Sequence, residues 1–158
     1  MALTIQAGNS PSGVAVNPNT GRVYVANRGD GTISVIDSAT KTVIGTITVG
    51  DIPADLAVNP ATNRLYLTYS DNNITTVIDG STGQVVGNIA VPQNVKAIAV
   101  NSLTNTIYFD TPPTTPARAD ATCYETLSRN DSTQSKRGQR RLTTSSQRAA
   151  SLGFSRCE

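Results

Sequence analysis

The stretch Gly13-Val-Ala-Val-Asn-Pro-Asn-Thr-Gly-Arg-Val-Tyr-Val25 decides the fold, because closely similar stretches return at a fixed interval. One starts 42 residues later as Asp55-Leu-Ala-Val-Asn-Pro-Ala-Thr-Asn-Arg-Leu-Tyr-Leu67, and another starts 42 residues after that as Ala97-Ile-Ala-Val-Asn-Ser-Leu-Thr-Asn-Thr-Ile-Tyr-Phe109. All three copies keep an asparagine, at Asn17, Asn59 and Asn101, and a tyrosine, at Tyr24, Tyr66 and Tyr108. A period of about 40 residues filled with short strands is typical of β-propeller blades.

Apolar residues alternate with small or polar residues inside each repeat, which favours strands over helices. In the first repeat this alternation predicts strands over about 13–17, 22–27, 32–37 and 43–49. The strand positions expected to be buried or half-buried are Val14, Val16, Val23, Val25, Leu56, Val58, Leu65 and Leu67. The chain is therefore expected to be all-β.

The turns between these strands have sequences that constrain their backbone. Pro18 presets φ after Asn17, and Gly21 suits the left-handed conformation needed before the next strand. Asn63 and Asn105 occupy the Gly21 position in the later repeats, and asparagine tolerates that conformation better than most residues. We therefore predict a hairpin at this point in every repeat.

Two other repeated features have competing structural and functional interpretations. Asp37 and Asp79 stand one period apart, and each carboxylate can accept hydrogen bonds from backbone N–H groups two residues on. Turn caps are therefore favoured over a ring of acidic ligands. The three repeated tyrosines are interpreted as packing residues between blades rather than as ligand-stacking residues.

The chain resembles the YVTN-type β-propeller repeat family over about residues 1–110. The residues that carry the resemblance are Gly13-Val-Ala-Val-Asn-Pro, Val23-Tyr-Val-Ala-Asn, Ile33-Ser-Val-Ile-Asp and Thr46-Ile-Thr-Val-Gly. The resemblance implies kinship with surface-layer proteins and lactonase-like propellers. It also implies a ring that is usually seven-bladed and a location outside the cytoplasm, in the periplasm, secreted or at the cell surface. Fold alone does not assign a function.

The organisation expected from the repeats is about two and a half four-stranded blades in an incomplete ring. The blades are predicted at 11–50 and 53–92, with a truncated blade at 95–110, and residues 1–8 are predicted to be the outer strand of a preceding blade. Neighbouring blades must cover each other's faces. We therefore expect a truncated product that can self-associate through exposed blade edges.

The repeat pattern stops after Asp110, and residues 111–158 are predicted to be a disordered or out-of-frame tail. Residues 1–110 carry 5 Lys or Arg and 7 Asp or Glu, whereas residues 111–158 carry 8 and 4 and also contain both cysteines. An out-of-frame gene end is favoured because pattern, charge and cysteine use change together. A genuine disordered tail and a basic nucleic-acid arm remain alternatives, although the basic cluster has no aromatic residues to stack on bases.

The composition argues against chemistry in this chain. It contains no histidine, which removes the commonest general base and metal ligand. We therefore predict no catalytic residues, no metal and no cofactor, and favour a non-enzymatic binding or scaffold protein with no nucleic-acid partner. The alternative is part of a lactonase-like or lyase-like propeller enzyme. Neither a signal peptide nor a membrane span is visible, so the sequence leaves the localisation and the partner open.

Candidate binding residues lie in loops that differ between the repeats. The turns at one end of the predicted blades repeat closely, whereas the loops at the other end diverge. In propellers such variable loops surround one mouth of the central channel, and binding residues concentrate on loops held by a rigid scaffold. The predicted site residues are Asn9, Arg28, Asp30, Asp51, Asp55 and Asp71.

Overall fold

A computed structural model describes residues 3–91, 95–111 and 120–125, and every regular element in these ranges is a strand. The strands are β1 (Pro11–Asn17), β2 (Arg22–Asn27), β3 (Thr32–Asp37), β4 (Thr42–Thr48), β5 (Pro53–Asn59), β6 (Arg64–Tyr69), β7 (Ile74–Asp79), β8 (Val85–Ala90), β9 (Ile98–Asn101), β10 (Thr106–Thr111) and β11 (Asp120–Glu125). The described ranges contain no helix long and apolar enough to cross a membrane.

The strands form three antiparallel sheets, which confirms the predicted all-β fold. Blade 1 has the order β1-β2-β3-β4, blade 2 has the order β5-β6-β7-β8, and blade 3 has the order β11-β10-β9. Each strand pairs with its neighbour along the chain, so each blade is a meander. Blades 1 and 2 are four-stranded, as predicted, and their registers match one period apart.

The predicted hairpin turns are confirmed by their backbone conformation. Gly21, Asn63 and Asn105 have φ values of 66°, 52° and 55°, so all three adopt the left-handed conformation. Most residues other than glycine, and other than those with a short polar side chain such as asparagine, would be strained there. The glycine and the asparagines therefore meet the same backbone requirement in two ways.

The blades pack face to face through period-related residues. The core between blades 1 and 2 includes Tyr24, Ala26, Ile33, Val35, Leu56, Leu65, Leu67 and Ile78. The core between blades 2 and 3 includes Tyr66, Val77, Ile98, Ile107 and Phe109. Tyr24 and Tyr66 are 0% and 1% exposed, which confirms that these two of the three repeated tyrosines pack between blades. Tyr108, on blade 3, is half-buried.

The expectation that Val14 and Val16 are buried or half-buried was wrong. They are 64% and 54% exposed, whereas Leu56, one period after Val14, is 3% exposed. The reason is position rather than residue type. Blade 1 covers the face of blade 2 that carries Leu56, but within the described residues nothing lies on the corresponding face of blade 1.

The structure also differs, at one strand, from the prediction that residues 111–158 are a disordered or out-of-frame tail. β11 pairs with β10 along its whole length, from Thr106 opposite Glu125 to Thr111 opposite Asp120. Backbone hydrogen bonds make this pairing, and an unpaired strand edge accepts a neighbour with little demand on its sequence. The rest of the predicted tail, 112–119 and 126–158, lies outside the described residues, and so does the prediction of disorder there.

The predicted outer strand at 1–8 is not a strand where the structure describes it. Residues 3–8 belong to no sheet. A strand of this kind is held by pairing with a neighbour, and residues 3–8 pair with none of the described strands. The contact that places this segment is the backbone N–H of Gly8, which donates to Oδ1 of buried Asn27 at 3.1 Å.

Candidate functional site

The variable loops all lie at one end of blades 1 and 2, and we call this end the rim. It comprises residues 8–10, which lead into β1, and the loops 28–31, 50–52 and 70–73, which connect β2 to β3, β4 to β5 and β6 to β7. The opposite end carries the closely repeated turns. Five of the six predicted site residues lie at the rim in two matching pairs of loops, and Asp55 lies in β5. The geometry of these loops decides which side chains are available to a ligand.

At the rim of blade 1, Asn9 and Asp30 hold each other. The backbone N–H of Asn9 donates to Oδ2 of Asp30 at 2.7 Å, and the Asn9 side-chain Nδ2 donates to Oδ1 at 2.8 Å. The Gly29 backbone N–H also donates to the carbonyl of Asn9 at 3.0 Å. Hydrogen bonding by the Asn9 backbone, followed by its side chain, lowers the pKa of the Asp30 carboxyl. Both residues are exposed, but they act as a clasp between two loops.

Blade 2 has the same clasp with the two residue types exchanged. Asp51 stands one period after Asn9, and Asn72 stands one period after Asp30. The Asn72 side-chain Nδ2 donates to Oδ2 of Asp51 at 2.7 Å. An asparagine and an aspartate thus join equivalent loops in both blades, although neither position keeps its residue.

Asp55 connects blade 2 to blade 3 and does not point to a ligand. Its Oδ1 accepts from the backbone N–H of Leu56 at 2.9 Å, and its Oδ2 accepts from the backbone N–H of Ile98 at 3.2 Å. The residue one period earlier is Gly13, and a Cβ atom there would lie 2.7 Å from Oδ1 of Asp55. Asp55 therefore fills a space at the junction between blades.

Arg28 and Asp71 are the two predicted residues whose charged groups stay available at the rim. Both are exposed, and neither charged group has a hydrogen bond or ion pair within the described ranges. Asp71 lines a cavity of about 220 Å³ together with Asp51, Ile52, Tyr69 and Asn72. This cavity brings two of the predicted residues, Asp51 and Asp71, together; the other four do not line it.

Three further residues of this cavity, Ile52, Tyr69 and Asn72, were missed by the sequence analysis. Tyr69 is 3% exposed, and its hydroxyl donates to Oγ1 of Thr76 at 3.0 Å. Burial raises the pKa of its phenol. Asn72 was detectable, because the exchange of Asn9 and Asp30 for Asp51 and Asn72 is visible once the repeats are aligned. Tyr69 had no such signal, since the equivalent residue of blade 1 is Asn27.

Asp37 and Asp79, at the opposite end, are turn caps, as predicted. Oδ1 of Asp37 accepts from the backbone N–H groups of Ala39 and Thr40, at 2.9 and 2.8 Å. Oδ1 of Asp79 accepts in the same way from Ser81 and Thr82. These backbone hydrogen bonds lower the pKa of both carboxyls. The caps close rigid turns and leave the rim as the variable surface.

The comparisons with known proteins agree with the fold. The family model for the NHL repeat matches residues 9–36, which include β1, β2 and most of β3. A solved structure titled Kuenenia stuttgartiensis hydrazine synthase superposes with a TM-score of 0.66 at 18% identity, over 79% of this chain and 35% of that one. The chain carries β-propeller repeats. Their assignment to the YVTN type stays a prediction.

A curated relative shares a short segment. The PE-PGRS family protein PE_PGRS18 of Mycobacterium tuberculosis (strain ATCC 25618 / H37Rv) is 54% identical over 46 residues. The match covers 29% of this chain and 10% of that protein, so the chain spans about a tenth of the length of this relative. A match of this extent relates about one repeat and does not assign a function.

Proposed function

We propose that this chain is a non-enzymatic binding or scaffold part of a β-propeller, which presents rim side chains to a protein or cell-surface ligand. The clasp at the rim carries the proposal. In each of blades 1 and 2, an asparagine and an aspartate hold two loops of that blade together. The residues around this clasp differ between the blades, as in Arg28 against Ser70 and Gly29 against Asp71. A fixed scaffold with variable exposed side chains is typical of binding surfaces.

The chemistry of the rim favours a polar, charged ligand. Arg28 offers a guanidinium, which can bind a carboxylate, a phosphate or a sugar hydroxyl through paired donors. Asp71 offers an acceptor beside the cavity. Within the described ranges, no three potential metal ligands among His, Cys, Asp and Glu come together. The groups that remain suit reversible polar contacts.

The experiment compares binding with turnover. The purified chain is tested for binding to an array of cell-wall polysaccharides and charged peptides, and for hydrolysis of simple lactones. We expect binding without hydrolysis, and we expect Arg28→Ala with Asp71→Ala to weaken it about tenfold, which corresponds to one lost charge-assisted hydrogen bond. Lys41→Ala removes an exposed charge at the opposite end and should leave binding unchanged. Lactone hydrolysis, or equal losses in all variants, would contradict the proposal.

A further inference from the structure

The rim of blade 2 is open at a position where the rim of blade 1 is filled. A Cβ atom added to Gly8 would lie 2.5 Å from Oδ2 of Asp30 and 2.6 Å from Cγ of Asn27, so no space remains beside that glycine. Gly50 stands one period later, and apart from its chain neighbours no described atom lies within 4 Å of the corresponding point. The same place in the fold is therefore packed in blade 1 and open in blade 2.

The loops of the blade 2 rim are also joined by fewer hydrogen bonds. Asn9 makes three bonds to the loop 28–31, two as a donor and one through its carbonyl. Asp51, one period later, makes one such bond among the described residues, from Asn72 to its Oδ2. The looser junction leaves Oδ1 of Asp51 without a partner within the described ranges and beside the cavity that Asp51 lines.

The size and walls of this cavity suit a small group. Its volume of about 220 Å³ is below the roughly 300–1,000 Å³ of pockets for drug-sized ligands, so it fits one side chain or a molecule of similar size. Ile52 and Tyr69 give it apolar surface. Burial raises the pKa of the Tyr69 phenol, and the charge of Asp51 adds to the rise, so this wall stays neutral.

The polar groups left free at the cavity are mainly acceptors. Oδ1 of Asp51 and both oxygens of Asp71 have no partner within the described ranges, whereas Asn72 is engaged through Nδ2 to Asp51 and through Oδ1 to the backbone N–H of Ile74. No lysine or arginine lines the cavity. Two carboxylates without a counter-ion beside an apolar wall favour a cation that carries hydrogen-bond donors and an apolar stem.

We propose that this cavity binds a primary ammonium group on a short aliphatic chain, carried by a lysine side chain of a partner protein or by a free amine. The ammonium donates to Asp51 and Asp71, and the aliphatic chain packs against Ile52 and Tyr69. This inference rests on the proposed function of the rim as a binding surface and names one group that its ligand carries.

The test is a titration of the full chain with n-butylammonium chloride at constant ionic strength, followed by the backbone amide signals of the five lining residues. The proposal predicts saturable shifts there, and none of comparable size with n-butanol, which has the same chain without the charge. Asp71→Asn keeps the shape and should weaken binding about 3-fold, as the loss of an exposed ion pair does, and adding Asp51→Asn should bring the loss to about tenfold. Asp37→Asn removes the same charge at the opposite end of the blade and should change nothing.

A peptide arm identifies the source of the ammonium group. Its probes are an otherwise uncharged peptide with blocked ends and a single lysine, and the same peptide with that lysine acetylated. Tighter binding of the lysine peptide than of n-butylammonium assigns the group to a partner protein, and no gain assigns it to a free amine. Equal binding of the acetylated peptide would overturn the proposal.

Three further outcomes would overturn it: no saturable shift at the lining residues, an equal response to n-butanol, or equal losses in Asp71→Asn and Asp37→Asn. Arg28→Ala tests the proposed function alone, because Arg28 does not line the cavity. It should weaken binding to the charged polymers and leave the n-butylammonium titration unchanged. Polymer binding without any ammonium response would refute the cavity site and leave the proposed function standing.

Discussion

The side chain of Asn17 donates from Nδ2 to Oδ1 of Asn63 at 2.9 Å and so joins blade 1 to blade 2. Asn17 is fully buried, and its own Oδ1 accepts from the backbone N–H of Asn19, which closes the turn of its blade. One side chain therefore shapes a turn and links two blades. Asn59 repeats both contacts, with Ala61 and Asn105.

Asn59→Ala should destabilise the chain by about 1–3 kcal/mol, because it removes two hydrogen bonds at a fully buried site. The free energy of unfolding in urea measures the effect. Asn88→Ala is the control, since Asn88 is the same residue type and is exposed on β8. A surface change of this kind should cost less than about 0.5 kcal/mol. Equal costs would show that the link between blades contributes nothing.

Thr75→Val should stabilise the chain by roughly 1 kcal/mol. Thr75 is 0% exposed, and its Oγ1 has no hydrogen-bond partner among the described residues. A buried hydroxyl without a partner costs free energy, and blade 1 has Ile33 at the same position. The neighbouring change Thr76→Val should act in the opposite sense, because Thr76 accepts from the Tyr69 hydroxyl. Thermal unfolding compares the two, and a fall in both would refute this interpretation of Thr75.

The clasp of blade 1 should tolerate exchange of its two residues but not a single change. Asn9→Asp alone sets two carboxylates against each other and should lower the unfolding temperature at pH 7. Adding Asp30→Asn should restore it, because blade 2 holds the same loops with Asp51 and Asn72. The measurement is the unfolding temperature of the single and double variants. A double variant no more stable than Asn9→Asp would show that the two clasps are not equivalent.

The lowered pKa values of three carboxyl groups predict that the folded chain loses stability in acid. Backbone hydrogen bonds lower the pKa of Asp30, Asp37 and Asp79 below the ordinary value of 3.8. The unfolded chain then binds protons before the folded chain does, so the contribution is complete above about pH 5 and is lost as the pH falls through the folded pKa values. Asp37→Asn with Asp79→Asn keeps an acceptor in each turn but removes two titrating groups. The slope of stability against pH below 4 should flatten, and an unchanged slope would contradict these assignments.

Much of the fold could be predicted because it follows from local sequence. Period-2 alternation places the strands, and Gly21, Asn63 and Asn105 place the hairpins. The exposure of Val14 could not be predicted from its own repeat. Val14 and Leu56 are both aliphatic and occupy equivalent positions, but only Leu56 is covered by another described blade. β11 was missed for a related reason. It begins four residues later than the period places it, and backbone pairing leaves no motif to find.

The candidate site was harder to predict because the function of a loop side chain depends on what it contacts. Asn9, Asp30 and Asp51 are polar and exposed, as ligand-binding residues are, but they hold loops together. Their partners lie 21 residues away in sequence. Asp55 is likewise committed to the backbone of the next blade. Arg28 and Asp71 remain from the predicted set as groups available to a ligand.

The account rests on consecutive blades that stack face to face through period-related residues, and nuclear Overhauser contacts between blades test it most directly. With the full chain labelled, the side-chain amide protons of Asn17 should show contacts to Asn63, and those of Asn59 should show contacts to Asn105. These protons should also exchange slowly with solvent, because both donors are buried. Absence of both pairs of contacts, with rapid exchange of the Asn17 and Asn59 amides, would contradict the stacked blades.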